Sequence, residues 1–188
     1  RLAYGGAQEY YGVVPDLCAM GKIIGGGFPL SAIGGREEYM AHFDKSRVAE
    51  NEFLTQIGTL SGNPVAAAAG LATLNVLKQP GAYEKIHGNG QALMDGFTEE
   101  FAKTGTRAKV VGEAPLFDVF FTGGDVRDYR SMIAGDRDMT LRFNQLIRQR
   151  GIFKGDSKFY ISMAHTEGDI KLTLDAVADA LNELNAAA

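Results

Sequence analysis

The sequence predicts an α/β chain in two parts, a glycine-rich α/β segment over residues 1–80 and a smaller α+β segment over 81–188. Three observations lead there. Before residue 80, short apolar runs alternate with helix-length stretches, the pattern of packed sheet and helix layers. At Pro80-Gly81 the glycine-rich turns give way to long amphipathic stretches, which marks a soft boundary. The 188 residues are 45% hydrophobic and 22% charged, enough to bury one core or two small ones.

Taken in order, VVPDLCAM (13–20) reads as a buried strand interrupted by Pro15 and Asp16, and GKIIGGGFP after it as a glycine-rich turn. LSAIGG is a second short apolar stretch. REEYMAHFDK has the spacing of a short amphipathic helix, and residues 45–58 read as an irregular loop. In GTLSGNPVAAAAGLATLNVL, Asn63 is placed to cap a helix and Pro64 to occupy its first position, while the alanine run favours helix and close packing. Residues 82–103 place Ile86, Leu93, Phe97 and Phe101 at helical spacing, predicting one long helix that ends near Gly105. AKVVGE and PLFDVFFTG read as strands, DRDMTLRFNQLIRQRG as a helix closed by Gly151, KFYISMA as a strand, and EGDIKLTLDAVADALNELNAAA as a terminal helix.

Charge and composition narrow the partners. The net charge is −4, the isoelectric point near 5.4, and the basic residues are scattered, so neither nucleic acid nor an anionic membrane is an expected partner. A small molecule is the expected ligand. No apolar run approaches a bilayer span and no signal peptide opens the chain. Cys18 is the single cysteine and no Cys/His cluster has metal spacing, so the expectation is a cytoplasmic protein without a metal. The chain begins at Arg1 without an initiator Met, and reads as part of a longer polypeptide.

Lys22 directly follows an apolar strand and is surrounded by Gly21, Gly25, Gly26 and Gly27. Ligands of α/β folds bind outside the carboxyl ends of strands, and partial burial there would keep an amine neutral part of the time, the form that condenses with a carbonyl. The alternative is a surface lysine in a turn. The glycines make neither a Walker A loop, which places its Lys after them and follows it with Ser or Thr, nor a dinucleotide fingerprint. Gly58-Thr59-Leu60-Ser61-Gly62-Asn63-Pro64 is the second feature. A helix start with nearby hydroxyls suits a phosphate or carboxylate, and equally suits simple capping.

Together, GKIIGGGFPLSAIGG and GTLSGNPVAAAAG resemble the class III aminotransferases among the fold-type I pyridoxal-phosphate enzymes, in particular the glutamate-1-semialdehyde 2,1-aminomutases and related amino-acid transaminases. The resemblance runs from Arg1 to AHTEGDI. It implies that residues 1–80 are the C-terminal part of the cofactor-binding large domain, with a mixed, mainly parallel sheet, and that 81–188 are the small α+β domain. It implies pyridoxal 5′-phosphate (or its pyridoxamine form) as cofactor, held by Lys22 as an internal aldimine, with the freed amine of Lys22 acting as general acid and base. Gly58 and Thr59 would bind the cofactor phosphate across a homodimer interface, in the neighbouring subunit's site.

The implied reaction moves an amino group between an amino acid and a keto acid. In the resembled family the aspartate facing the pyridine nitrogen precedes the position of Arg1, so the 188 residues alone are expected to be inactive. The aminomutases carry extra residues, including a glutamate, where this chain has Ser157 to Thr166 without one. That departure favours intermolecular transfer over the alternative, intramolecular aminomutase reaction. A second alternative is a non-catalytic α/β module whose glycine turns are structural. Lys158 and Arg36 are candidate carboxylate contacts that read more simply as surface charges, and His165 reads as a hydrogen-bonded structural residue. Glu37, Glu38, Glu99 and Glu100 read as solvated helix faces.

Overall fold

The computed structural model describes residues 1–186, and in it Pro15 and Asp16 cut short the first apolar run: strand β1 spans only Leu17–Met20. It pairs with β2, Ala32–Gly35, in register Leu17↔Gly35 to Met20↔Ala32. The pairing is antiparallel, and these two strands are the only ones of the expected mixed sheet among the described residues of this part. The connection, residues 21–31, carries only a 3-10 turn, Lys22–Gly25, and no helix long enough to cross over the sheet, so the chain returns antiparallel. β1 is also exposed rather than buried, with Leu17 51% and Met20 43% accessible. Two strands alone have no second layer covering their faces.

Before β1, a short helix α1, Ala7–Tyr11, is bracketed by Gly6 and Gly12 at positive φ. After β2 come α2, Glu37–Met40, and a 3-10 turn, Ala41–Phe43. The following loop holds another 3-10 turn at Glu50–Glu52, tied back by His42 Nδ1 to the Glu52 carbonyl at 2.8 Å. Helix α3 runs Pro64–Leu77. These elements belong to one compact unit, Arg1–Ala82, and the rest of the chain to a second, Tyr83–Ala188.

The second unit is built on α4, Ala82–Thr104, and a three-stranded antiparallel sheet: β3, Lys109–Glu113; β4, Leu116–Phe120; and β5, Phe159–Tyr160. β4 is central, with Val110↔Val119 and Phe117↔Phe159 in register. Alternation along β4 turns Phe117 and Val119 inward, 1% and 2% exposed. They meet the apolar stripe of α4, where Ile86, Leu93, Phe97 and Phe101 are all buried as their spacing predicts. Phe117 stacks on Phe159 at 5.1 Å, and Phe97 meets the Phe159 edge at the same centroid distance. Helices α6, Arg137–Gln149, and α7, Glu167–Ala186, supply Phe143, Leu146, Ile147, Val177 and Leu181, each 0% exposed. The terminal helix was expected to reach residue 188; Ala187 and Ala188 lie outside the described residues. A short helix α5, Tyr129–Ile133, was not expected.

Candidate active site

Lys22 stands one residue beyond β1 and opens a 3-10 turn, Lys22–Gly25. Its φ is 54°, in the left-handed region that costs a residue with a Cβ roughly 1 kcal/mol or more. Among the described non-glycine residues only Lys22 and Lys158 have positive φ. The turn is closed by Gly26 N–H donating to the Ile23 carbonyl and Phe28 N–H to the Gly25 carbonyl.

The turn is locked onto α3. Gly26 lies where a Cβ would be 3.1 Å from the Ala69 carbonyl, and Gly70 where one would be 2.8 Å from the Ile24 carbonyl. The Thr73 hydroxyl, which donates to Ala69, also crowds Gly26. The small residues of the alanine-rich helix thus admit the turn backbone, the close packing its composition predicts. Lys22 is exposed, so the partial burial expected for its amine is not supplied by this chain: its neighbours are glycines and the sheet beside it is uncovered. Among the described residues its amine has no hydrogen-bond or ion-pair partner.

Gly58 and Thr59 sit in the turns before α3, where Ser61 N–H donates to the Gly58 carbonyl at 2.9 Å and Asn63 N–H to the Leu60 carbonyl at 3.2 Å. Asn63 Oδ1 accepts from Val65 and Ala66 N–H at 2.9 and 3.2 Å, and Pro64 has no N–H to give. The helix start is therefore capped by its own residue, and the first α3 donors are spent. The donors that remain are upstream: Thr59 uses neither its N–H nor its hydroxyl within the described residues. Lys22 and Thr59 share no hydrogen bond among those residues; the packing of the Lys22 turn on α3, whose start Thr59 precedes, is what relates them.

The other expected residues fall as follows. Arg36 is occupied by Asp16 at 3.0 Å and Glu38 at 2.7 Å. In the second unit, His165 Nδ1 accepts from Ser162 N–H at 3.2 Å and its carbonyl accepts from Asn89, a structural role. Lys158 lines a cavity on the sheet of that unit. Sequence reasoning missed a buried ion pair there: Lys154, 4% exposed, meets Asp118 at 3.2 Å and lies 4.9 Å over the Phe159 ring. Burial holds the Lys154 amine below the ordinary lysine range, against the opposing pull of Asp118. The signal was an aspartate inside the apolar strand LFDVF. No group of acidic, His or Cys side chains able to hold a metal occurs among the described residues, and no helix of theirs is long and apolar enough to cross a membrane.

Comparison with known proteins adds a family. The profile described as aminotransferase class-III matches residues 4–122. Glutamate-1-semialdehyde 2,1-aminomutase of Pelotomaculum thermopropionicum is 42% identical over 96% of this chain and 41% of its own. An omega-transaminase from Sphaerobacter thermophilus superposes with a TM-score of 0.85 at 31% identity, covering 97% of this chain and 42% of its own. A transaminase with PLP bound gives the same TM-score at 27% identity, covering 99% and 42%. The chain thus spans about two-fifths of the length of the proteins it matches.

Proposed function

This chain belongs to the class III aminotransferase family, and from that premise we propose that it supplies Lys22 to the active site of a longer, pyridoxal-phosphate-dependent aminotransferase. The observation that carries the proposal is Lys22 itself: an unengaged amine at a strand end, on a strained backbone that α3 holds in place. Strain of this kind persists where the surroundings impose it, and it concentrates at working sites.

The residues present fit the cofactor. A free primary amine is what a cofactor aldehyde needs, and the unspent N–H and hydroxyl of Thr59, beside Gly58, are donors suited to a phosphate. When bound, the cofactor acts as an electron sink for the charge that develops at substrate Cα. Lys22 Nζ would be the group that holds it, and as a free amine would carry the proton from and back to substrate Cα. Thr59 and Gly58 orient the phosphate. We assign them to the partner subunit's site in a homodimer, as the resemblance to the family implies. Cys18, unpaired, suits a reducing compartment, and we place the protein in the cytoplasm.

The substrates we propose are an amino acid and a keto acid. The segment Ser157 to Thr166 lacks the glutamate of the aminomutases, which supports intermolecular transfer. The curated relatives' name favours the second reading, intramolecular transfer on glutamate-1-semialdehyde. The two are separated by incubating the full-length protein with glutamate-1-semialdehyde and no keto acid. Absence of 5-aminolevulinate, with turnover restored by an amino-acid and keto-acid pair, supports the first; 5-aminolevulinate formed without a keto acid overturns it.

A further inference from the structure

Helix α3 holds the turn that carries Lys22 at two places. Gly70 seats its front, where a Cβ would stand 2.8 Å from the Ile24 carbonyl and would also strike the Leu30 side chain. Ala69 and Thr73, one helical turn apart, seat its end. There Gly26 closes the turn at φ 58°, its N–H donating to the Ile23 carbonyl. A Cβ on Gly26 would stand 3.1 Å from the Ala69 carbonyl and would overlap the Thr73 hydroxyl. The direction of that hydroxyl is fixed, because it donates to the Ala69 carbonyl at 2.9 Å.

Thr73 does not serve the helix that contains it. A β-branched residue loses side-chain freedom in a helix, and a hydroxyl bonded back to the i−4 carbonyl slightly destabilises and bends one. Helix formation alone favours alanine, the residue at Ala66 through Ala69 and at Ala72. Position 73 is only half-buried, so core packing does not demand a larger side chain either. What Thr73 touches outside its own helix is Gly26.

That contact reaches Lys22 through the turn. Lys22 opens the turn at φ 54° and Gly26 caps it, and a residue with a Cβ keeps a left-handed backbone only where its surroundings impose it. Glycine itself imposes little, since it adopts many backbone conformations at low cost. The far end of the turn is therefore fixed by what packs on Gly26. Without that seat the turn can unwind toward ordinary φ at Lys22, and the amine moves with it.

We propose that Thr73 is a positioning residue for Lys22: its back-bonded hydroxyl seats Gly26 and so preserves the left-handed backbone that presents the lysine. This rests on the reading of Lys22 as the cofactor anchor. The test uses the full-length protein with pyridoxal phosphate and the variants Thr73→Ala and Thr73→Ser. Cofactor release is followed by the loss of its visible absorbance on dilution, and stability by urea unfolding of the cofactor-free protein. Thr73→Ala should release the cofactor about tenfold faster, as relaxation of the strained backbone draws the amine away. Its urea midpoint should equal or exceed the parent's, because alanine is the better helix former. Thr73→Ser keeps the hydroxyl and its bond to Ala69, and should bring release back to within about twofold of the parent. A residue with a merely structural role would move cofactor release and the urea midpoint together. Release from Thr73→Ala at the parent's rate, faster release accompanied by a lower urea midpoint, or no recovery in Thr73→Ser would overturn the proposal. Borohydride labelling of the parent separates the two readings. A label away from Lys22 overturns the anchor and this proposal with it, whereas a label on Lys22 with an unaltered Thr73→Ala overturns the role of Thr73 alone.

Discussion

Gly70 in α3 faces the carbonyl of Ile24, two residues beyond Lys22, so closely that a Cβ on Gly70 would stand 2.8 Å from the oxygen. The helix therefore sets the height of the turn that presents the lysine, and the position of Lys22 is encoded partly in a glycine distant in sequence.

Gly70→Ala should accordingly push the turn off the helix. Overpacking of this kind costs about 1–3 kcal/mol, and the displaced lysine should retain less cofactor. Gly88→Ala is the control: it lies in α4 with nothing within 4 Å of its would-be Cβ, and alanine there should add roughly 0.5–1 kcal/mol through helix propensity. Urea unfolding reads both. A Gly70→Ala protein as stable as its parent would show that the turn does not depend on this contact.

Asn63 and Thr59 stand close in sequence but have different jobs. Asn63→Ala removes the α3 cap and should cost about 1 kcal/mol. Thr59→Val removes a hydroxyl without a partner among the described residues, so stability should hold within about 0.5 kcal/mol while cofactor dissociation rises about tenfold. Cofactor affinity unchanged in Thr59→Val would take Thr59 out of the phosphate site.

Lys154 is buried and pairs with Asp118, which is itself largely covered. Breaking such a pair by Lys154→Met strands a carboxylate and should cost about 3–5 kcal/mol, whereas Lys154→Met with Asp118→Leu should recover most of it. The pH dependence follows. Because burial lowers the Lys154 pKa from its ordinary 10.5, the unfolded chain binds more protons than the folded one between those two values. This residue therefore makes stability rise with pH across that window. The double variant should lose the rise, which thermal melts between neutral pH and pH 10 measure.

At the start of α7, Asp169 accepts from the Thr166 N–H at 2.8 Å and its hydroxyl at 2.7 Å, and its own N–H donates to that hydroxyl at 3.3 Å. This reciprocal cap holds the carboxyl below its ordinary value of 3.8. Its contribution is present above that pH and is lost as pH falls through the lowered pKa. Asp169→Asn should flatten the acid limb of a melting-temperature profile; an unaltered limb would mean that the cap contributes no pH-dependent stability.

Much of this was legible in the sequence. The α4 stripe was, because helical periodicity is a local pattern and Ile86 through Phe101 repeat it. The Asn63-Pro64 start and the Gly151 stop, φ 86°, were legible for the same reason. The short helices α1 and α5 carry too few residues to show a period, although Asp128 and Ser131 spell a capping box that announces α5. The sense of the β1 and β2 pairing depends on the path of the turn rather than on the strands. The ion pair of Lys154 joins residues far apart in the chain, and the left-handed backbones of Lys22 and Lys158 follow from packing, so neither is written in the residues around them.

The central claim is that Lys22 is the anchor of the cofactor. Borohydride reduction of the full-length protein with pyridoxal phosphate, followed by peptide mapping, tests it most directly. The expected result is a phosphopyridoxyl group on Lys22 alone, absent from Lys22→Ala; a label on another lysine, or one that persists in the variant, would contradict it.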